Sequence, residues 1–274
     1  MCDLQIKKEK LLKKMWEYAG QDMMVAFSGG VDSSLLLKIA CDMAGERGTQ
    51  VYAVTMQTML HPMGEIEEAK RICQRMKAGH IVIAIDELNE AGIMGNPPER
   101  CYLCKRHLFT QIKEKAAELG ISIILEGTNE DDLHVYRPGI RALRELQIIS
   151  PLAEAALTKK EVRKLASEYG IETASKPSMP CLATRFPYGT ALSYKDMERV
   201  ERGETYLKGL GFKNVRIRVH GTIARIEVDG DALGEVVKRK HEIVSCLKEL
   251  GYVYVTLDLE GFRSGSMDVG LETI

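Results

Sequence analysis

Val25-Ala26-Phe27-Ser28-Gly29-Gly30-Val31-Asp32-Ser33-Ser34 is an apolar run broken by Ser-Gly-Gly and resumed as a helical pattern to Ala40. A buried strand, a glycine turn and a helix N-terminus in that order make an anion site. The first helical N–H groups have no intrahelical acceptor, and the macrodipole concentrates positive charge there. Gly29 and Gly30 let the backbone approach a phosphate, while Ser28, Ser33 and Ser34 add hydroxyl donors. Asp32 is placed to orient the loop or help hold Mg²⁺. Its simpler reading is a first-turn carboxylate, which the dipole favours by about 0.3–1 kcal/mol. No lysine stands where a Walker A loop requires one, so this is not that phosphate-binding loop.

Sulfur is the second chemistry. Cys101-Tyr102-Leu103-Cys104 opens a predicted helix, and Cys181 lies in the Pro-rich loop Lys176 to Arg185. The other four of the seven cysteines, Cys2, Cys41, Cys73 and Cys246, read as core or surface thiols. Three thiolates admit three outcomes. Zinc closes with four protein ligands, so a His such as His107 or His134 would have to supply the fourth. An iron–sulfur cluster on three cysteines keeps one iron open, and the thiols can also bind no metal. Spacing alone leaves all three standing.

A third group is arginine. Arg216 and Arg218 alternate with Ile217 and Val219 along a predicted strand, so both guanidiniums leave the same face. Paired Arg forks suit bidentate phosphate binding, with Arg225, Glu227 and Arg263 extending the site. A solvated hairpin face with cross-strand pairs is equally open. Glu204 and Glu227 are further candidates for substrate or metal contact.

The elements that must position these residues follow from hydrophobic period. Strand-like runs at 23–27, 51–56, 81–85 and 121–126 alternate with helical patterns at 31–44, 64–77, 104–119 and 158–169. That alternation predicts an α/β fold with a parallel sheet, right-handed crossovers and ligands at the carboxyl ends of the strands. Glu126-Gly127-Thr128-Asn129 follows one such end, so Gly127, Thr128, Asn129 and Asp132 are candidates to line a nucleotide opposite the Ser28 loop. For these residues an Asx-type turn is the plainer reading. Pro177, Pro180, Pro187 and Gly189 then interrupt the rhythm. Beyond them come a helix at 193–209, a hairpin at 213–229, a helix at 231–249 and a strand at 252–259. The expected division is a nucleotide domain at 1–170, a connector carrying Cys181 at 171–192, and a small α+β domain at 193–274.

Composition bounds the rest. Of the 274 residues, 45% are hydrophobic and 28% charged, which is ordinary for a globular chain. A net charge of −1 argues against a broad nucleic-acid footprint. No apolar run reaches the roughly 18–20 residues of a membrane span. The Lys-rich start lacks the apolar centre of a signal peptide. These features predict a cytoplasmic protein.

Seven segments together resemble one family. They are the Ser28–Ser34 loop, Glu99-Arg100-Cys101-Tyr102-Leu103-Cys104-Lys105, Gly127-Thr128-Asn129-Glu130-Asp131-Asp132 and Tyr136-Arg137-Pro138-Gly139. Ser150-Pro151-Leu152, Pro180-Cys181-Leu182-Ala183-Thr184-Arg185 and Glu260-Gly261-Phe262-Arg263-Ser264-Gly265-Ser266-Met267 complete them. The first resembles the SGGxDS loop of the PP-loop ATP pyrophosphatases. The whole set, from about residue 15 to 268, is similar to the LarE family of sulfur transferases. The Cys181 and Arg263 segments are its more specific marks. The resemblance implies a PP-loop domain and adenylation of the carboxylates of pyridinium-3,5-biscarboxylic acid mononucleotide by ATP with Mg²⁺. Sulfur then replaces oxygen, in nickel-pincer cofactor biosynthesis. One subtype sacrifices the sulfur of a cysteine matching Cys181. Another holds a [4Fe–4S] cluster on three cysteines, which Cys101, Cys104 and Cys181 match. By this resemblance the cluster subtype is expected, with Cys181 and Asp32 as catalytic residues, Arg216 and Arg218 on the substrate phosphate, and a homo-oligomer built as a trimer or hexamer. The source of the sulfide is not implied.

Three rival readings carry their own marks. A cluster-dependent tRNA thiolase would also pair a PP-loop with three cysteines, but near-neutral charge and 6% aromatic residues tell against it. An amide-forming synthetase needs no cysteine triad. A nucleotide sensor would show no ATP–pyrophosphate exchange with any carboxylate.

Overall fold

A computed structural model describes residues 3–60, 65–135, 137–175, 181–263 and 265–267. Cys2, Tyr136, Pro177, Pro180 and Ser264 of the motifs above therefore lie outside the described residues. The chain forms two compact units, Met1–Gly92 with Glu99–Met179 and Ile93–Pro98 with Pro180–Ile274.

The first unit runs α1 (Asp3–Tyr18), β1 (Met23–Ala26), α2 (Val31–Arg47), β2 (Val51–Gln57), α3 (Glu65–Met76), β3 (Gly79–Ala84) and α4 (Glu87–Glu90). It continues through α5 (Arg100–Glu118), β4 (Ile123–Leu125), α6 (Glu130–Leu133), α7 (Gly139–Glu145), α8 (Pro151–Glu154) and α9 (Lys159–Glu168). Its four strands pair in parallel in the order β3-β2-β1-β4. The side-chain period of two explains the apolar runs that mark this sheet. Met23 and Val25 of β1 enter one core with Leu35, Leu36, Ile39 and Leu165, while Met24 enters another with Val54, Phe109, Ile112 and Leu143. A strand covered on both faces needs apolar residues at every position. The fourth strand is shorter than the 121–126 run because Ile121 packs with Ile112 and Ala116 at the end of α5 before pairing begins. No described helix is long and apolar enough to cross a membrane.

The second unit carries α10 (Tyr194–Gly209), β5 (Val215–His220), β6 (Ile223–Val228), α11 (Leu233–Lys238), α12 (Lys240–Glu249) and β7 (Tyr254–Leu257). β5 and β6 form the expected antiparallel hairpin, and β7 adds in parallel to β6. The helix expected at 231–249 is broken: a 3-10 turn at Gly230–Ala232 precedes α11, and α11 and α12 part at Arg239. Arg239 closes α11 with its N–H on the Glu235 carbonyl, and its guanidinium reaches the Leu210 carbonyl at 2.8 Å. Gly203 of α10 sits against β5 so closely that a Cβ there would lie 2.6 Å from Ile217 Cδ1. Residues Ile93–Pro98 belong with this unit because Asn96, fully buried, donates from Nδ2 to the Pro187 carbonyl at 2.7 Å and accepts Gly189 N–H at 2.9 Å.

Candidate active site

The first unit presents its anion site at the carboxyl end of β1. Gly29 takes φ +69°, the left-handed region glycine reaches without steric cost, and Gly30 then caps α2. Ser33 Oγ donates to the Gly30 carbonyl at 3.1 Å and lies 3.2 Å from Ser28 Oγ, which accepts the Gly30 N–H at 3.4 Å. The serines thus brace the turn, while the first-turn N–H groups of α2 keep their outward direction. Ser34 departs from the expected set. Its side chain is fully buried in α2, away from the loop surface.

A second loop meets the first directly. A Cβ on Gly127 would lie 3.0 Å from Ser33 N and 3.1 Å from Asp32 Cβ, so any larger residue would crowd the first loop. Asn129 Nδ2 donates to Asp32 Oδ1 at 3.2 Å. Asp132, expected beside the nucleotide, instead accepts Asn129 N–H at 3.1 Å and pairs with Arg137 at 2.9 Å. That contact fixes the start of α6. Glu126, nearly buried, accepts Thr128 N–H and Oγ1–H, both at 2.9 Å, and Ser150 Oγ–H at 2.5 Å. Thr128 therefore spends its hydroxyl on the loop's own structure.

Two lysines assigned no role from sequence join this centre. Lys159 Nζ donates to Asp32 Oδ2. It stands at the first position of α9, where Thr158 and Glu161 form a reciprocal capping box. The string Thr158-Lys159-Lys160-Glu161 carries that box in sequence, but only the fold shows what Lys159 faces. Lys105 Nζ lies 3.7 Å from Glu126 Oε2. Its stem is tight against Gly139, where a Cβ would meet Lys105 Cδ at 2.9 Å.

Cys101 and Cys104 sit three residues apart at the start of α5, with Cys101 exposed and Cys104 half-buried. Residues so spaced share a helix face. Cys181 belongs to the second unit, at the entrance of the 3-10 turn Leu182–Arg185. Its carbonyl accepts Thr184 Oγ1–H at 2.8 Å and an Arg185 N–H at 3.1 Å, and its thiol is half-buried. Three accessible thiols suit the donor chemistry of an iron–sulfur cluster. Among the described residues, no three His, Cys, Asp or Glu are gathered as a ligand set. The histidines weighed as a fourth ligand have partners, His107 on Glu90 at 3.1 Å and His134 on Glu130 at 2.7 Å. Burial pushes the Cys41 and Cys73 thiols up to about 12 and about 11, which makes both inert at neutral pH.

The arginines converge inside the second unit. Both faces of β5 are covered, so Arg216 and Arg218 are buried rather than solvated. Glu227, with no exposure, accepts Arg218 at 2.9 Å, Arg225 at 3.2 Å and Ser266 Oγ–H at 2.7 Å. Arg218 stands directly opposite Arg225 in the hairpin register, and Glu227 offsets that like-charge pairing. Glu204 takes Arg185 in a two-pronged pair, both contacts 2.9 Å, and also accepts the Ile217 N–H at 3.0 Å. Glu204 and Glu227 thus act here as counter-ions. Arg216 differs: it donates to the Val215 carbonyl at 2.6 Å and lies 5.2 Å from the Phe262 ring. Burial first, then the nearby Arg185, pushes its guanidinium below the usual value. Arg263 pairs with Glu260 at 2.5 Å.

Comparison with known proteins accords with this arrangement. A PP-loop domain model matches residues 3–136. The chain is 36% identical over 268 residues to the pyridinium-3,5-bisthiocarboxylic acid mononucleotide synthase of Lactiplantibacillus plantarum, covering 98% of this chain and 96% of that one. The chain belongs to the LarE family. An uncharacterized Synechocystis protein is also 36% identical, over 95% of this chain and 97% of its own length. A tRNA-specific 2-thiouridylase of Rickettsia bellii matches at 29% over only 57% of this chain and 51% of its own. LarE membership thus rests on nearly the whole chain, as the distribution of the seven motifs predicted.

Proposed function

We propose that this LarE-family protein is an ATP-dependent sulfur transferase that converts the carboxylates of pyridinium-3,5-biscarboxylic acid mononucleotide to thiocarboxylates. The observation that carries the adenylating half is the contact of two loops at one anion site, with Gly127 against Ser33 and both Asn129 and Lys159 on Asp32. The full-length similarity to the synthase carries the choice of substrate.

A carboxylate resists nucleophiles because it is already negative and has no usable leaving group. Attack of its oxygen on the α-phosphorus of ATP removes both obstacles and releases pyrophosphate. The residue 28–34 loop holds the departing pyrophosphate through outward N–H groups, and Lys159 supplies a cation beside it. Asp32 keeps Lys159 and Asn129 in register, and with Mg²⁺ bound it is the carboxylate nearest to hand for the metal. Thr128 and Glu126 hold the second loop rigid, so the nucleotide meets a preformed wall. Arg216, which has no hydrogen-bonded carboxylate among the described residues, takes the substrate phosphate, with Arg218 held beside it by Glu227. Cys101, Cys104 and Cys181 are the residues that would hold a [4Fe–4S] cluster, which when bound supplies a positioned sulfide. Adenylation leaves AMP as the group that a sulfur nucleophile displaces from the acyl carbon, and the thiocarboxylate is the product. The same reading puts the enzyme in the cytoplasm as a homo-oligomer built on trimers.

The test is anaerobic turnover of the purified protein with ATP and the dicarboxylate mononucleotide, following pyrophosphate release and product mass. Replacement of oxygen by sulfur in the mononucleotide is the expected result. Cys101→Ala, Cys104→Ala and Cys181→Ala should each keep pyrophosphate release and lose sulfur transfer. Equal loss of both activities would make the cysteines structural. Thiolation of bulk tRNA in its place would overturn the substrate assignment.

A further inference from the structure

Away from the loops, a cavity of about 180 Å³ opens in the first unit between α2, α3 and the chain following α9. Ile72, Met76, Tyr169 and Ile171 give it apolar walls. Ser34 and Thr173 also line it, and both hydroxyls are buried without a hydrogen-bond partner among the described residues. Buried polar groups are nearly always paired, so two orphans in the wall of one cavity mark an unfilled demand. Lys38, Arg75 and Glu172 supply the charged part of the lining. Lys38 is held by Asp42 at 2.6 Å and Arg75 by Glu172 at 2.5 Å, both pairs open to solvent.

We propose that this cavity is a binding site for a small aromatic carboxylate. The size fits one ring, since an engineered cavity of about 150 Å³ accepts benzene. An inorganic oxyanion would leave four apolar walls uncovered. A neutral hydrocarbon would leave the two hydroxyls unanswered, and Lys38 and Arg75, whose present ion pairs are open to solvent, can re-pair with a ligand carboxylate. A flat ring against Ile72, Met76 and Tyr169 answers the walls. Its carboxylate meets Arg75 or Lys38, with Ser34 and Thr173 donating to the remaining oxygen lone pairs. Ser34 follows Ser33 on α2, so an occupant of this cavity bears on the helix whose first turn forms the anion site.

The experiment titrates the full-length protein with benzoate, and in parallel with benzyl alcohol and inorganic phosphate, by calorimetry and ligand-detected NMR. Benzoate should bind saturably with a Kd of about 1 mM, the range open to a ligand of so few atoms. Benzyl alcohol should bind at least about fivefold more weakly, and phosphate should not displace benzoate, because each lacks one half of the recognition. Met76→Trp, which fills the cavity, should abolish binding while ATP–pyrophosphate exchange persists. Thr173→Val should weaken it about threefold or more. Should Met76→Trp fail to fold, methyl shifts of Ile72 and Met76 in the unmodified protein give the same answer. Absence of saturation, unmoved methyl signals, or equal binding of phosphate or benzyl alcohol would overturn the proposal.

Discussion

Asp32 shows how one side chain acquires a role from its neighbours. In sequence it is an acidic residue in a first helical turn, and nothing more is required of it. In the fold it accepts both Lys159 and Asn129, from two segments more than ninety positions away. Lys159→Ala removes one charged partner and the cation beside the anion site. We expect kcat/KM for ATP–pyrophosphate exchange to fall about 10- to 100-fold, the range for a charge-assisted hydrogen bond, with Lys159→Arg retaining part of it. A loss under threefold would remove Lys159 from the site. Arg216 makes the complementary point. Its alternation with Arg218 was legible, but its burial with no paired carboxylate among the described residues was not, because that depends on how Glu204 and Glu227 are shared among Arg185, Arg218 and Arg225.

Among the elements, α2 does most to assemble the site, and its glycines separate contact from conformation. Gly127→Ala forces a Cβ to 3.0 Å from Ser33 N, so the two loops must part by a few tenths of an ångström. Crowding of that kind costs about 1–3 kcal/mol, and we expect it to lower stability in urea together with exchange activity. Gly45 of the same helix has open space where a Cβ would go, with nothing beyond its own helix backbone within 4 Å, so Gly45→Ala should raise stability by about 0.5–1 kcal/mol and leave activity intact. Sequence periodicity located α2 and β1 closely, since both are long or densely apolar. It merged α11 and α12 because a single break at Arg239 leaves the hydrophobic period almost undisturbed. The strap Ile93–Pro98 was invisible for a different reason: its place in the second unit is set by Asn96, whose partners lie about ninety residues on.

Across the whole molecule the cysteines divide by environment. Cys101 is exposed, Cys104 and Cys181 are half-buried, and Cys73 is fully buried with its thiol raised by desolvation. Cys41 is raised further, by burial and then by Asp42. Iodoacetamide at neutral pH on the metal-free native protein should therefore alkylate Cys101 first, while Cys41 and Cys73 react only after unfolding. Peptide mass spectrometry reads the order, and early labelling of Cys73 would contradict the packing of this core. Loading of a cluster should then protect Cys101, Cys104 and Cys181 together, which ties the labelling pattern to the proposed chemistry.

What the sequence by itself determined is local. A strand entering Ser-Gly-Gly before a helix must leave oriented N–H groups at its turn, and continuous apolar runs must be buried on both faces, whatever surrounds them. The motif residues carried the family for the same reason, each set being contiguous in the chain. Tertiary structure alone decided which charges meet. Coulomb and hydrogen-bond terms depend on distances between remote segments, so the Lys159–Asp32 contact, the Glu126 hub and the sharing of Glu227 exist only once the chain has closed on itself.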